Sequence, residues 1–127
     1  MKFSPVKRPF NLSLGQRGEM LGWKYLLDNG YKIIEKNFRC KLGEIDVIAE
    51  KNSRIVFIEI KTRASKRFGL PQEAVTRIKQ EKLIQLAEWY LKQKNLRDPW
   101  VSFEVLAISI SPDQEPKFLL IENAFSL

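Results

Sequence analysis

Two short apolar segments of this chain carry ionisable side chains in their interiors, and this pattern strongly limits the possible folds. The first segment, residues 43–49, reads GEIDVIA, and the second, residues 55–61, reads IVFIEIK. Short β-branched runs bounded by turn residues predict β-strands. An ionised carboxylate inside an apolar strand costs several kcal/mol unless it is paired or bound to a metal. We therefore expect Asp46, Glu59 and Lys61 to form a metal-dependent active site.

The spacing of the apolar residues predicts a mixed α/β fold. Helical periodicity runs from Ser13 to Asp28 and again from Pro71 to Gln93, with a break expected near Thr76 or Arg77. The strands are expected at residues 31–38, 44–50, 54–61, 100–109 and 117–122. Short connections favour an antiparallel arrangement of the first three strands, and the third, apolar on both faces, is expected at the centre of the sheet. The helices are expected to pack on this sheet.

The composition excludes several kinds of active site. The 127 residues include no histidine and one cysteine, Cys40. A Ser-His-Asp triad, a Cys-His pair and a histidine-liganded zinc site are therefore excluded. Carboxylate and carbonyl oxygens remain as metal ligands, and they suit hard ions such as Mg²⁺ or Mn²⁺. The net charge of +7 favours a polyanionic partner such as nucleic acid.

The length of the chain predicts a single domain, at residues 12–127, preceded by an irregular basic leader at residues 1–11. The leader lacks the apolar core and the cleavage site of a secretory signal. No apolar run in the sequence approaches the ~20 residues needed to cross a bilayer. Together with the single cysteine, these features predict a cytoplasmic protein without a membrane partner.

The register of the second and third predicted strands determines which side chains meet. Side chains alternate across a strand, so Glu59 and Lys61 are expected on the same face. Pairing through the short polar turn places Asp46 near Ile58, and a shift of one residue places it beside Glu59. The two carboxylates could then bind a divalent cation together with the backbone carbonyl of Ile60.

An acidic residue in the first helix could complete this site. Glu19 follows Gly15 by four residues and precedes Gly22 and Leu26 by three and seven, so all four are expected on one helix face. Small residues on this face would let the helix backbone approach the sheet closely. Glu19 would then point toward the acidic strands.

Several sequence blocks occur in a specific order. They are residues 14–19 (LGQRGE), 25–26 (YL), 30–31 (GY), 37–39 (NFR), 43–46 (GEID), 57–63 (FIEIKTR) and 122–125 (ENAF). With these blocks, nearly the whole chain resembles the YraN-type family of small bacterial endonuclease-like proteins. That family is related to archaeal Holliday junction resolvases and to the wider PD-(D/E)XK nuclease superfamily. The resemblance implies one nuclease-like domain with a restriction-endonuclease-like mixed sheet, in the order α-β-β-β-α-β-β.

The resemblance also implies roles for individual residues. Asp46 and Glu59 match the two acids of the nuclease motif, Lys61 matches its lysine, and Glu19 matches the helix-borne acid of the resolvase-like enzymes. Glu104 stands where the family pattern has aspartate, at a position expected to lie outside the metal centre. The implied activity is Mg²⁺- or Mn²⁺-dependent hydrolysis of phosphodiester bonds in branched or otherwise structured DNA, with DNA favoured over RNA.

Basic residues near the predicted site are candidates for phosphate contacts, which provide affinity and salt dependence but no sequence readout. They are Arg17, Arg63, Lys66, Arg67 and Lys79. Cleavage of a four-way junction would need two symmetric cuts and therefore a homodimer.

Each assignment has a structural alternative. Glu59 and Lys61 could be an exposed pair on an edge strand, Asp46 could cap backbone amides, and Glu19 could face solvent. The basic residues could belong to a solvated loop, and aromatic residues such as Trp100 are expected in the core. The alternative function is a nucleic-acid-binding module on the same fold that is catalytically silent or that cleaves only with a partner protein.

Overall fold

The computed structural model describes residues 12–64 and 75–125. Two helices and five strands follow one another in the predicted order. The helices are α1 (Leu14–Asp28) and α2 (Arg77–Gln93), and the strands are β1 (Lys32–Cys40), β2 (Gly43–Lys51), β3 (Arg54–Arg63), β4 (Trp100–Ser111) and β5 (Gln114–Phe125). Neither of these two helices is long and apolar enough to cross a membrane. The predicted leader at residues 1–11 lies outside the described residues.

The five strands form one mixed sheet in the sequential order β1-β2-β3-β4-β5. β2 is antiparallel to both of its neighbours, β1 and β3, as predicted, and β5 is antiparallel to β4. β3 and β4 are parallel because α2 provides the crossover between them. The prediction that β3 lies at the centre of the sheet is confirmed. Its ladder with β4 runs without a shift from Arg54 to Arg63, which supports β3 along its whole length.

The two helices cover opposite faces of the sheet. On one face, Leu26 of α1 belongs to a core cluster with Val47 and Ile58. On the other face, Leu86 of α2 belongs to a cluster with Phe57. The consecutive residues Phe57 and Ile58 thus contribute to different cores, as alternation along a strand requires. The mixed α/β fold that the sequence predicted is therefore a sandwich with one helix on each side of the sheet.

Two glycines allow α1 to lie close to the sheet. Gly18 and Gly22 are buried. A β-carbon at Gly18 would overlap the Thr62 side chain, and one at Gly22 would lie 2.9 Å from a side-chain carbon of β3. The prediction of a small-residue contact face is confirmed, but its assignment to Gly15 is wrong, because Gly15 is exposed with open space around it. The contact face follows a four-residue spacing, so Glu19 lies at its border.

α2 begins where the sequence predicted a break. Thr76 is the N-cap residue, and its Oγ1 accepts a hydrogen bond from the backbone N–H of Lys79 at 3.1 Å. Residues 71–74 of the longer predicted helix lie outside the described residues. The cap fixes the backbone of Lys79 in the first turn of α2.

The last two strands extend further than predicted. β5 begins at Gln114 rather than at Lys117, because its pairing with β4 continues to the turn. The placement of Trp100 in the core was wrong: its side chain is 71% exposed. Trp100 is the first residue of β4 and pairs with Arg54, at the end of the sheet. Period-two alternation continued to this residue, but the hydrophobic core ends before it.

Candidate active site

The ladder between β2 and β3 ends where the two predicted acids stand. Pairing runs from the turn to Val47 and Ile58. One residue further in the same register, Asp46 stands opposite Glu59. Here Oδ2 of Asp46 accepts a hydrogen bond from the backbone N–H of Ile60 at 2.8 Å. A carboxylate therefore takes the place of a ladder carbonyl, and the observed register is the shifted one that brings the two acids together.

The regular alternation of β2 is interrupted at Asp46. Val47 packs on the α1 side of the sheet, whereas Ile45 and Ile48 both pack on the α2 side. Two residues three apart share a face of a strand only where the alternation is broken. Asn37, which faces Asp46 in the β1–β2 register, has a φ of 52°, a left-handed conformation that asparagine tolerates. The irregularity of both strands thus coincides with the residue that carries the first candidate acid.

Glu59 is a shielded acid in direct contact with a second acid. Its side chain is 8% exposed, and it faces α2, because Ile58 and Ile60 belong to the core on the α1 side. Asp46 and Glu59 are close enough to shift each other's pKa: the charge of Asp46 raises that of Glu59, and the interaction with Glu59 lowers that of Asp46. Burial, and then the charge of Asp46, raises the pKa of Glu59 from 4.5 to about 7.

The pKa of Asp46 is raised as well. Burial is the main cause, and the hydrogen bond from the Ile60 N–H opposes it. Two carboxyl groups in contact cannot both ionise easily, so the pair retains a shared proton closer to neutral pH than a solvated acid would. This is an arrangement in which a divalent cation can replace the proton.

Two ammonium groups approach the same oxygen of Glu59. Nζ of Lys61 lies 3.7 Å from Oε2, and Nζ of Lys79 lies 3.8 Å from it. Lys61 shares a face of β3 with Glu59, as predicted, whereas Lys79 comes from the first turn of α2. The charges of Lys79 and Lys61 lower the pKa of Glu59, but less than burial and Asp46 raise it. The sequence predicted Lys79 only as a phosphate contact.

Glu19 lies beside these acids, at the border of the α1 contact face. Burial raises its pKa, the charges of Asp46 and Glu44 raise it further, and Arg39 opposes them. With its amide nitrogen turned toward the two carboxylates, Asn37 lies 3.3 Å from Oε2 of Glu19 and 3.3 Å from Oε2 of Glu44. Glu44 also forms an ion pair with Arg39 at 3.4 Å. Asn37 therefore connects the helix-borne acid to β2.

A two-carboxylate ion site fits this arrangement better than a closed cage. Within residues 12–64 and 75–125, no three acidic or cysteine side chains lie close enough together to form a ready-made metal site. Mg²⁺ is usually held by one or two protein carboxylates, with waters and substrate phosphates completing the shell. Asp46 and Glu59 supply two such groups, already adjacent. Glu19 and the carbonyl of Ile60 stay predictions as further ligands.

The remaining predicted phosphate contacts lie at different places. Arg63 is half-buried at the end of β3. Arg17 is exposed on α1 and borders a shallow cavity that also includes Pro116 of β5. Lys66 and Arg67, in the loop after β3, lie outside the described residues. Lys79, in contrast, lies within 4 Å of the candidate acid Glu59.

Sequence reasoning missed the parts that Asn37 and Gly18 play in shaping the site. An asparagine inside the predicted first strand could have indicated the irregular backbone at Asn37, since asparagine is disfavoured in strands and tolerates positive φ. The four-residue spacing of Gly18, Gly22 and Leu26 could have identified the true contact face of α1.

A second buried acid lies outside this site. Glu104 of β4 is 1% exposed. It accepts a hydrogen bond from the hydroxyl of Tyr31 at 2.6 Å and another from that of Ser102 at 3.4 Å. Ser102 is also hydrogen-bonded to Asn123 at 3.0 Å. Burial raises the pKa of Glu104, and the Tyr31 hydrogen bond opposes this shift.

Sequence comparisons place the candidate site within a known family. The model described as "Uncharacterised protein family UPF0102" matches residues 18–108, a range that includes Glu19, Asp46, Glu59 and Lys61. A UPF0102 protein of Geobacter metallireducens is 47% identical over 118 residues, which cover 92% of this chain and 95% of the relative. A UPF0102 protein of Clostridium perfringens is 45% identical over 119 residues (93% and 98%). One of Caldanaerobacter subterraneus is 41% identical over 109 residues (86% and 89%). The chain belongs to the UPF0102 family.

Proposed function

We propose that this protein is a metal-dependent endonuclease that hydrolyses phosphodiester bonds in branched or otherwise structured DNA. The observation that best supports this proposal is the placement of Asp46 opposite Glu59 at the end of the β2–β3 ladder, where Asp46 also accepts a hydrogen bond from the Ile60 N–H. Buried acids in contact destabilise a fold unless they bind something. We also propose that the mixed sheet is of the restriction-endonuclease type and that the protein is related to the YraN-type endonuclease-like proteins.

Asp46 and Glu59 would hold Mg²⁺ or Mn²⁺, with Glu19 and the carbonyl of Ile60 as further ligands. A bound ion of this kind polarises the scissile phosphate and lowers the pKa of a coordinated water. The contribution of the chain is to hold the two carboxylates in place before the substrate arrives. Glu59 stands on a strand that is paired throughout with β4, and Asp46 is fixed by the N–H of Ile60.

Lys61 is placed to act on the attacking water or on the phosphate. It lies next to Glu59 on the same face of β3, and its side chain is 35% exposed, so its ammonium group reaches solvent. There it would orient the water, assist its deprotonation, or offset the negative charge that develops on the phosphate.

The flanking phosphates would be bound by basic residues around this site. The proposed contacts are Arg17, Arg63, Lys66, Arg67 and Lys79. Because such contacts release counterions, affinity should fall steeply as the salt concentration rises. The net charge of +7 is consistent with a polyanionic substrate. Symmetric cleavage of a four-way junction would be carried out by a homodimer.

One observation favours a second candidate function. Two ammonium groups already lie within 4 Å of Oε2 of Glu59, so this carboxylate is compensated without a metal. A nucleic-acid-binding module that is silent, or that cleaves only with a partner protein, would be compatible with this arrangement. The Asp46–Glu59 pair favours the enzyme, because a protein that no longer cleaves has no reason to retain a shielded acid whose pKa is raised by a neighbouring acid.

A cleavage assay separates the two functions. Purified protein with Mg²⁺ or Mn²⁺ is mixed with labelled four-way junction, single-stranded and duplex DNA, and the variant Asp46→Asn is tested beside Glu50→Gln. Glu50 is an exposed acid of the same strand and serves as the matched control. Cleavage by the wild type and the control, but not by Asp46→Asn, supports the endonuclease. Salt-sensitive binding without cleavage supports the binding module, and the absence of any nucleic-acid binding contradicts both.

A further inference from the structure

The two lysines that approach Glu59 are held by different parts of the fold. Lys61 lies on β3 itself, two residues after Glu59, so its position beside Glu59 does not depend on the packing of either helix. Lys79 stands on α2, where the Thr76 cap fixes its backbone and its side chain extends to the sheet. The ammonium group of Lys79 is therefore the end of a flexible four-carbon side chain that crosses between two elements.

Lys79 contacts the carboxylate that a divalent ion would need in the proposed metal site. Oε2 of Glu59 lies 3.8 Å from Nζ of Lys79 and is shielded from water on most sides, with 8% of the side chain exposed. A divalent cation on this carboxylate and an ammonium group at that distance would repel each other. The Lys79 side chain is 42% exposed, so it has access to solvent and can leave without disturbing the core.

We propose that Lys79 is an exchangeable counterion of the site: it pairs with Glu59 in the metal-free protein and leaves Glu59 when a divalent ion is bound. The exchange rests on the proposed function, because that function supplies the ion, whereas the pair between Lys79 and Glu59 does not depend on it. Lys79 is thus a positioning residue that holds Glu59 in the absence of metal and weakens the affinity of the site for metal. Its predicted contact with a nucleic-acid phosphate would require this release first.

The first experiment measures the pair alone, in EDTA. Urea unfolding is compared for the wild type, Lys79→Met, Glu59→Gln and the double variant. If the two side chains are paired, the double variant should deviate from additivity by at least about threefold in the unfolding equilibrium constant. The matched cycle uses Lys82→Met, an exposed lysine of the same helix, and should be additive. Additive behaviour in the Lys79 cycle would overturn the inference.

The second experiment measures the exchange by calorimetric titration of the metal-free protein with MnCl₂, without nucleic acid. Lys79→Met should bind Mn²⁺ roughly three- to tenfold more tightly than the wild type, because the ion no longer displaces an ammonium group. Lys82→Met should bind like the wild type. Equal affinity in Lys79→Met and the wild type would overturn the exchange alone, whereas no Mn²⁺ binding by any variant would overturn both the exchange and the metal-dependent function.

Discussion

Glu59 and Glu104 stand on adjacent parallel strands, and both are buried, at 7% and 1% exposure. Their surroundings differ in kind. Glu104 accepts hydrogen bonds from neutral donors, the hydroxyl of Tyr31 and that of Ser102, whose one proton is shared with Asn123. The charges of Glu122 and Arg54 shift its pKa in opposite directions. Glu59 faces the carboxyl group of Asp46 and two ammonium groups. Neutral hydroxyls satisfy a buried acid without adding charge, whereas two neighbouring acids attract cations, which in this structure are the two ammonium groups.

The comparison shows how a buried acid that supports the fold can be distinguished from one that supports a function. The two acids face opposite sides of the sheet, Glu104 toward the α1 core with Tyr31 and Glu59 toward α2 with Lys79. Burial raises the pKa of each acid, so burial alone does not separate them. The partners separate them, and the following experiments alter one acid while the other serves as its control.

The largest expected difference is in cleavage. Glu59→Gln removes a ligand charge from the proposed metal site and should lower the cleavage rate by on the order of 10²- to 10³-fold. Glu104→Gln keeps the shape and one acceptor oxygen of a residue outside that site, and its cleavage rate should stay within a few fold of the wild type. Single-turnover rates on a labelled junction provide the measurement. Equal losses in both variants would show that Glu59 has no special role in cleavage.

The second difference is in the pH dependence of stability without metal. The pKa of Glu59 in the folded protein, about 7, lies above its ordinary 4.5. Its contribution is therefore fully present below pH 4.5 and is lost as the pH rises through about 7. Glu59→Gln should stabilise the protein at pH 8, by an amount on the order of 1–3 kcal/mol, and should have little effect at pH 4.5. The raised pKa of Glu104 acts in the same direction, so a weaker pH dependence should persist in this variant.

Urea unfolding at both pH values in EDTA tests this expectation. If Glu59→Gln is no more stable than the wild type at pH 8, the ionised Glu59 carboxylate does not destabilise the folded protein.

The third difference is in stabilisation by metal. A ligand that binds only the folded state stabilises it by about 2.7 kcal/mol at a concentration of 100 Kd. Mn²⁺ should therefore raise the thermal midpoint of the wild type and of Glu104→Gln, but not that of Glu59→Gln. Differential scanning calorimetry with MnCl₂, against MgCl₂ and EDTA, provides the comparison. A metal effect that persists without the Glu59 carboxylate would place the ion elsewhere.

The smallest difference concerns the partner of the second acid. Tyr31→Phe removes the 2.6 Å hydrogen bond to Glu104 and leaves a buried carboxyl group with one donor fewer. The loss of stability should be about 1–2 kcal/mol. Mn²⁺ affinity should be unchanged, because Tyr31 contacts no residue of the proposed metal site in the described structure. A change in Mn²⁺ affinity would show that the two acids are coupled through the sheet.

The features that sequence predicted correctly depend on local periodicity. The order of elements, the central position of β3 and the shared face of Glu59 and Lys61 all follow from spacings of two and of three to four residues. The sequence allowed two registers for the β2–β3 pair, and only one of them places Asp46 beside Glu59. The hydrogen bond from the Ile60 N–H to Asp46 could not be derived, because it depends on an interruption of β2.

The position of Lys79 depends on tertiary structure. Helical spacing shows which residues of α2 share a face, but not which strand they cover. That depends on the crossover from β3 to its parallel neighbour, which carries α2 over the face of the sheet that bears Glu59. Trp100 was wrongly predicted in the core for a related reason: a strand can continue beyond the core that it helps to form.

The hydrogen bond from the Ile60 amide to Asp46 makes one backbone proton a reporter of the site's charge. An amide proton held by a carboxylate shifts downfield when that carboxylate ionises and responds again when a metal binds to it. In a ¹⁵N-labelled sample, the Ile60 resonance would therefore titrate with the acid pair and with added Mg²⁺. Occupancy of the centre could then be followed without substrate, label or catalysis.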